Sequence, residues 1–259
     1  MICAVEGPEA LARYNAALAG GGPTACCLGA RCAAFAALPG SGWRFFTGGA
    51  HEAPLALAVR GHAAQLAGRA DPEELSLLLG MLGVRALRTE ERFAPSGWRE
   101  ENRLAIYSLA SGAGITPQPP IGFALEPRPS LWAVTQLLAG GQSLAEGGRA
   151  ARDDFYADAC VLCNRGLARI WAARGAQGLA ATAGAYAIWG GRAYLSAVET
   201  VPGLRRRGLG RWLVSVLAAE LVREGLRVEL LCAPGREAFY EALGFAPGGQ
   251  AVCWARGPG

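Results

Sequence analysis

The chain contains no lysine, and all 25 of its basic residues are arginine. Histidine is scarce too, with only His51 and His62, both in the first quarter. Without lysine there is no Schiff-base chemistry, no pyridoxal phosphate attachment and no P-loop lysine. Two neighbouring histidines are too few for a histidine-rich metal site. No long apolar run is present: the longest stretches, such as Trp212 to Ala219, fall far short of the roughly 20 residues a membrane span needs. Charge of one sign is also lacking, since 25 basic against 21 acidic residues leave a net charge of only +4. That balance, with acids spread throughout, argues against nucleic acid as a partner. Met1 to Pro8 has no basic segment leading into an apolar run, so no signal peptide is expected. These absences lead to the expectation of a soluble, cytoplasmic protein with neither a membrane nor a nucleic acid as partner.

What is present is a chain of 259 residues, 52% apolar and 18% charged, long enough for one large domain or two small ones. The excess of Ala, Arg and Gly reads as a compositional bias with no chemistry of its own. Eight cysteines stand at 3, 26, 27, 32, 160, 163, 232 and 253, and only Cys160 and Cys163 form a CxxC. With no second pair in view, all eight read as small apolar residues in a reducing compartment, without disulfide or metal.

The glycine- and proline-rich stretch Ser111 to Gly122 interrupts both helical and strand patterns. It reads as a linker at 111–121 between a first domain at 1–110 and a second at 122–259. In the first, Pro8–Leu18 and Thr24–Leu38 read as helices, and Trp43–Phe46, Pro54–Arg60 and His62–Ala67 as strands, with Gly61 in a tight turn. Asp71-Pro72-Glu73-Glu74 opens a helix through Leu82, since Asp caps well, Pro suits the first turn and acids favour the positive end. Val84–Leu87 and Leu104–Leu109 look like further strands. In the second, strands are expected at Phe123–Glu126, Ala168–Ala173, Leu179–Trp189, Ala193–Val201, Arg227–Cys232 and Val252–Ala255. Helices are expected at Ser130–Leu138, Ala151–Arg165, Leu209–Glu224 and Arg236–Leu243. The fold class that follows is α/β, an α+β mixed sheet.

The chemistry concentrates in Val198 to Arg211. A strand ends near Val201, and Arg205, Arg206, Arg207 and Gly208 lead into a helix with one apolar face at Leu209, Leu213, Val216, Leu217 and Leu221. Free backbone N–H groups, the positive end of the helix dipole and the arginines together suit a diphosphate. Gly208 and Gly210 carry no Cβ to keep a phosphate away from the backbone. GxGxxG is absent, because Gly210 is followed three residues on by Leu213.

The loop resembles the acyl-CoA element Arg/Gln-x-x-Gly-x-Gly/Ala of the GNAT acyltransferase superfamily, with Arg205, Gly208 and Gly210 in the matching positions. Ala238-Phe239-Tyr240-Glu241-Ala242-Leu243-Gly244-Phe245 is similar to the late Phe-Tyr-Glu-x-Leu-Gly-Phe element of the same superfamily, at the expected distance. The resemblance covers roughly Gly122 to Arg256. It implies a GNAT acyl-CoA N-acyltransferase fold for the second half, with acetyl-CoA as co-substrate and no metal. Carried over, backbone groups of Val198, Thr200 and Val201 hold the pantetheine and polarise the acetyl carbonyl, as donors in an oxyanion hole do. Arg205, Arg206, Arg207, Gly208, Leu209, Gly210 and Arg211 wrap the pyrophosphate.

The resemblance also makes Tyr240 the acid that protonates the departing thiolate; a phenol with a pKa near ~10 holds its proton at neutrality. Glu199 is the candidate general base for an amine acceptor, direct or through water, although an ion pair with a nearby arginine is the simpler reading. Asp153, Asp154 and Asp158 lie on the helix that lines the acceptor cleft in this family. Cys232-Ala233-Pro234-Gly235 departs from the family, many of whose members place an Asn after that strand.

The first half resembles an eroded copy of the same fold, in which Gly68 to Glu74 replaces the arginine loop. Three carboxylates there would repel a diphosphate, which implies a tandem GNAT protein with a degenerate N-terminal half. The expected activity is acetyl transfer from acetyl-CoA to a primary amine, small-molecule or peptide, by direct attack in a ternary complex. The alternative is a non-catalytic acyl-CoA-binding regulatory module. A homodimer is compatible with either.

Overall fold

The computed structural model describes residues 1–50, 53–91, 95–109, 118–141 and 148–257. His51 and most of the expected linker lie outside them. By contacts the chain divides into two compact units. The first holds Met1–Ile106, Leu231–Gly235 and Pro247–Gly259; the second holds Tyr107–Leu230 and Arg236–Ala246.

The first unit runs β1 (Cys3–Ala4), α1 (Gly7–Ala17), α2 (Pro23–Phe35), β2 (Trp43–Ala50), β3 (Ala53–Arg60), β4 (Ala63–Gly68), α3 (Pro72–Met81), β5 (Ala86–Thr89) and most of β6 (Trp98–Leu109). β2, β3 and β4 form an antiparallel meander, with Gly61 at φ +54° in the turn before β4. Such a φ is costly for any residue with a Cβ. Strand β4 then pairs in parallel with β5 from Ala63↔Ala86 to Leu66↔Thr89, and α3 makes the crossover between them. In β3 the alternation of side chains sends Leu55, Leu57 and Val59 to a core with Leu75 and Leu79 of α3. Ala56 and Ala58 are buried on the other face, where α1 and α2 pack against β3. Small residues there let a helix approach closely.

The second unit runs β7 (Ala124–Glu126), α4 (Leu131–Ala139), α5 (Gly148–Asn164), β8 (Arg169–Gly175), β9 (Gly178–Trp189), β10 (Arg192–Thr200), α6 (Leu209–Arg223), β11 (Arg227–Cys232) and α7 (Glu237–Glu241). Its strands lie in the order β11-β10-β9-β8-β7, with the end of β6 beside β11. Central β9 is lined with alanines, five of them buried at 180, 181, 183, 185 and 187. Helices α4, α5 and α6 all pack on it. In α6 the buried residues are Leu209, Trp212, Leu213, Val214, Leu217, Ala218 and Leu221. Val216, expected on the apolar face, is only half-buried. Truncating the fully buried Leu213 or Leu217 to Ala would cost about 2–5 kcal/mol.

The last strand, β12 (Ala246–Arg256), is longer than Val252–Ala255 and lies between β5 and β6 in the first unit. It pairs antiparallel with β5 from Val252↔Thr89 to Ala255↔Ala86. Both units are mixed sheets with a single parallel step among the described registers, β4 with β5 and β10 with β11. No helix among the described residues is long and apolar enough to cross a membrane.

Candidate functional site

β10 and β11 are paired in parallel only from Arg192↔Arg227 to Leu195↔Leu230. Beyond Leu195, β10 keeps its antiparallel neighbour β9, with Glu199↔Thr182 and Thr200↔Ala181. The register with β9 shifts between Ser196 and Glu199, and inside that bulge Ala197 takes φ +51°. An L-residue held in this region costs about 1–2 kcal/mol, and such bulges re-aim a strand. The bulge thus directs Val198 and Thr200 at the place where β10 leaves its parallel partner. Val201, expected to offer its backbone, already uses it: its N–H donates to the Ala180 carbonyl at 2.9 Å and its carbonyl accepts from Leu204 at 2.8 Å.

A single 3₁₀ turn, Pro202–Leu204, follows. Arg206 then takes φ +66° and Gly208 φ +80°, both left-handed. Gly208 is the N-cap of α6, and no side chain caps it. The first N–H groups of a helix have no partner within it, so this start is open. Leu209, 1% exposed, anchors it in the core. A Cβ on Gly210 would meet Thr200 Oγ1 at 3.6 Å, Val198 Cγ1 at 3.8 Å and Phe239 Cζ at 3.9 Å. These are ordinary contacts, which explains why the family element takes Gly or Ala at this position. They also bring β10, α6 and α7 together.

The four arginines expected around a pyrophosphate divide into two kinds. Arg205 turns back: its Nη2 donates to Glu199 Oε1 at 3.0 Å and its Nε to the Thr200 carbonyl at 3.2 Å. Arg211 donates to the Ala242 carbonyl at 3.3 Å, tying α6 to the end of α7. Arg206 and Arg207 are exposed and have no ion pair or hydrogen bond among the described residues. Two arginines therefore shape the loop, and two stand exposed.

Glu199 is 7% exposed. Besides Arg205 it meets the backbone of Gly141, just past α4, where an added Cβ would stand 2.5 Å from the carboxyl carbon. The candidate base is thus an ion-paired carboxylate under the end of α4. Sequence reasoning missed Gly141, whose only signal is the Gly140-Gly141 pair closing a helix.

Tyr240, 9% exposed, lies edge-on to both Phe239 and Phe245, with ring centroids 5.0 and 5.9 Å apart. Phe245 N–H donates to the Tyr240 carbonyl at 3.1 Å and Gly244 N–H to that of Glu241 at 2.9 Å. With Gly244 at φ +84°, this is a Schellman ending, complete with its hydrophobic contact. The Tyr-Glu-Ala-Leu-Gly-Phe run is therefore a device that fixes Tyr240. Glu241 is held in turn by the Tyr107 hydroxyl at 2.8 Å, a partner 134 positions away that no local pattern reveals.

Residues 137–245 match the model of the Acetyltransferase (GNAT) family, so the C-terminal half carries a GNAT domain. The whole chain has the fold of tandem GNAT proteins. A tandem GNAT protein from the clavulanic acid biosynthesis pathway superposes with a TM-score of 0.68 at 15% identity, covering 100% of this chain and 99% of that one. A GCN5-related N-acetyltransferase from Kribbella flavida gives 0.59 at 20% identity, with 90% and 96% covered. One from Sphaerobacter thermophilus gives 0.55 at 13%, with 100% and 96% covered. The sequence matches no curated protein.

Proposed function

We propose that the second unit is an acetyl-CoA-dependent N-acetyltransferase acting on a primary amine by direct attack in a ternary complex, in the cytoplasm. The observation that carries this reading is the open start of α6, uncapped by any side chain and flanked by two unpaired arginines. These residues fit a diphosphate: exposed Arg206 and Arg207 supply charge, and the N–H groups of Leu209 and Gly210 supply directed donors. Gly208 turns the chain out of their way. When bound, acetyl-CoA supplies the acetyl thioester.

The chain's own residues then have separate tasks. Val198 and Thr200 offer backbone groups beside the bulge of β10. Tyr240, fixed by its helix ending, gives its phenolic proton to the leaving thiolate. Glu199 takes the acceptor's proton, directly or through water, on the carboxylate that Arg205 braces through Oε1. No cysteine is given a nucleophilic role, for Cys232 is only 2% exposed.

Calorimetric titration of acetyl-CoA into the chain, with Arg207→Glu in parallel, tests the reading. Binding in the wild type that collapses in the variant supports it; equal binding in both, or none in either, removes it. Turnover with a panel of primary amines then separates an enzyme from a binding module.

A further inference from the structure

Tyr240 sits on α7, a helix of only five residues. Nucleating a helix costs more than one turn returns, so a segment of this length has no stability of its own and lies where its tertiary contacts put it. Those contacts fall on the residues that follow Tyr240. Arg211 of α6 donates to the Ala242 carbonyl at 3.3 Å. The end of β6, Tyr107 to Leu109, belongs to the second unit, and alternation puts Tyr107 and Leu109 on one face of that strand. A Cβ on Gly244 would meet Leu109 Cδ1 at 3.6 Å, and the Tyr107 hydroxyl donates to Glu241 Oε1 at 2.8 Å. Tyr107 is 3% exposed, so its phenol is fixed by the core, while Glu241 stands at the surface. The Glu241 carbonyl accepts the Gly244 N–H in the same helix ending that fixes Tyr240. A buried strand residue thus holds the residue directly after the proposed acid.

We infer that Tyr107 is a positioning residue for Tyr240: through Glu241 it sets where α7 lies and so where the Tyr240 hydroxyl stands for proton delivery. The inference rests on the acyltransfer reading and adds to it a residue from outside both sequence elements of that reading. The chemistry suits the task, because a phenol offers one directed donor and brings no charge that would compete for a phosphate. The diphosphate is assigned to α6 and its loop, whereas Tyr107 acts on α7. Displacing a reacting group by about 1 Å costs up to about 100-fold in rate, so loss of this tie should appear in proton delivery and not in cofactor affinity.

The test uses the full chain with isotope-labelled tyrosine and coenzyme A as the probe, which requires no acceptor. In the wild type the Tyr240 ring resonance, assigned by its loss in Tyr240→Phe, should move on saturation with coenzyme A. In Tyr107→Phe that movement should shrink by about half or more while the calorimetric Kd stays within about twofold, and transfer to any amine the wild type accepts should slow about tenfold at unchanged KM for acetyl-CoA. Glu241→Leu should match Tyr107→Phe, and Glu241→Gln should match the wild type, since its amide oxygen accepts the same hydrogen bond. These variants fold, because the broken bond leaves a hydrated surface group and not a buried orphan. An undiminished movement in Tyr107→Phe, or Glu241→Gln behaving as Glu241→Leu, would overturn the inference. So would a Kd that rises in step with the lost movement, which would make Tyr107 a general support of the fold. Each of these leaves the acyltransfer reading standing, whereas no binding of coenzyme A by the wild type removes that reading and this inference with it.

Discussion

Two helices in this molecule follow a parallel-paired strand, α3 after β4 and α6 after β10, and their starts are opposite in character. At α3, Asp71 Oδ1 accepts the N–H groups of Glu73 and Glu74 at 3.1 and 2.9 Å. Glu74 is occupied in turn, accepting the Ile2 N–H at 2.6 Å. The helix dipole is neutralised by the chain itself, and the result is stability. At α6 the cap is a glycine, the dipole is unanswered, and two arginines stand exposed beside it. The same strand–turn–helix geometry thus ends in a helix start closed by side chains in one unit and left uncapped by any side chain in the other. The difference lies in a few side chains, not in the fold.

The sharpest way to break this comparison is at Tyr240, which has a reaction to serve only if the open start holds acetyl-CoA. Tyr240→Phe should lower kcat by about 100-fold, within the usual range for an acid catalyst, while calorimetry shows an unchanged Kd for acetyl-CoA. A matching rise in Kd would make Tyr240 a packing residue. Next in size, Arg207→Glu should raise the Kd for acetyl-CoA by about 10- to 100-fold, the worth of one charge-assisted contact or more.

The counterpart in the closed start is Asp71→Ala. It should cost about 1 kcal/mol in urea unfolding, as loss of an N-cap does, and leave the stoichiometry and Kd of acetyl-CoA unchanged. A new binding event in that variant would mean that the cap alone separates the two starts.

The smallest effect belongs to the far end of α6, where Arg169 grips Glu224 at 2.7 and 3.0 Å. Hydrogen bonding to Arg169 holds the Glu224 carboxyl below its ordinary value. This pair's stabilisation is therefore present above the ordinary carboxylate pKa and is lost as pH falls through the lowered one. Arg169→Met should cost less than about 1 kcal/mol at pH 7, because the pair is partly exposed, and acid unfolding should lose that contribution.

Much of this was legible in the residues. Asp71 announced its cap, because a cap acts within one turn of chain. β11 has the bounds expected from its Val and Leu run, and α6 differs only at its last residue. Expectation fell short where strands depend on partners. Val84–Leu87 became Ala86–Thr89, Leu104–Leu109 grew back to Trp98, and Val252–Ala255 grew into Ala246–Arg256. A strand's ends are set by the length of its neighbour, which no window of sequence contains. Glu199 was legible as a carboxylate at a strand end, but not as the brace of Arg205 beneath Gly141.

By itself, then, the sequence determined the helices, the two helix starts, and the loop that marks the GNAT half, since caps, glycine positions and helical periodicity are local. The tertiary structure decided which unit receives the last strand, which arginines brace and which stay free, and which carboxylate closes α2. Those outcomes join residues 66 positions apart at Glu90 and Thr24 and 134 apart at Tyr107 and Glu241. They depend on chain closure and packing, which leave no periodic mark on the residues involved.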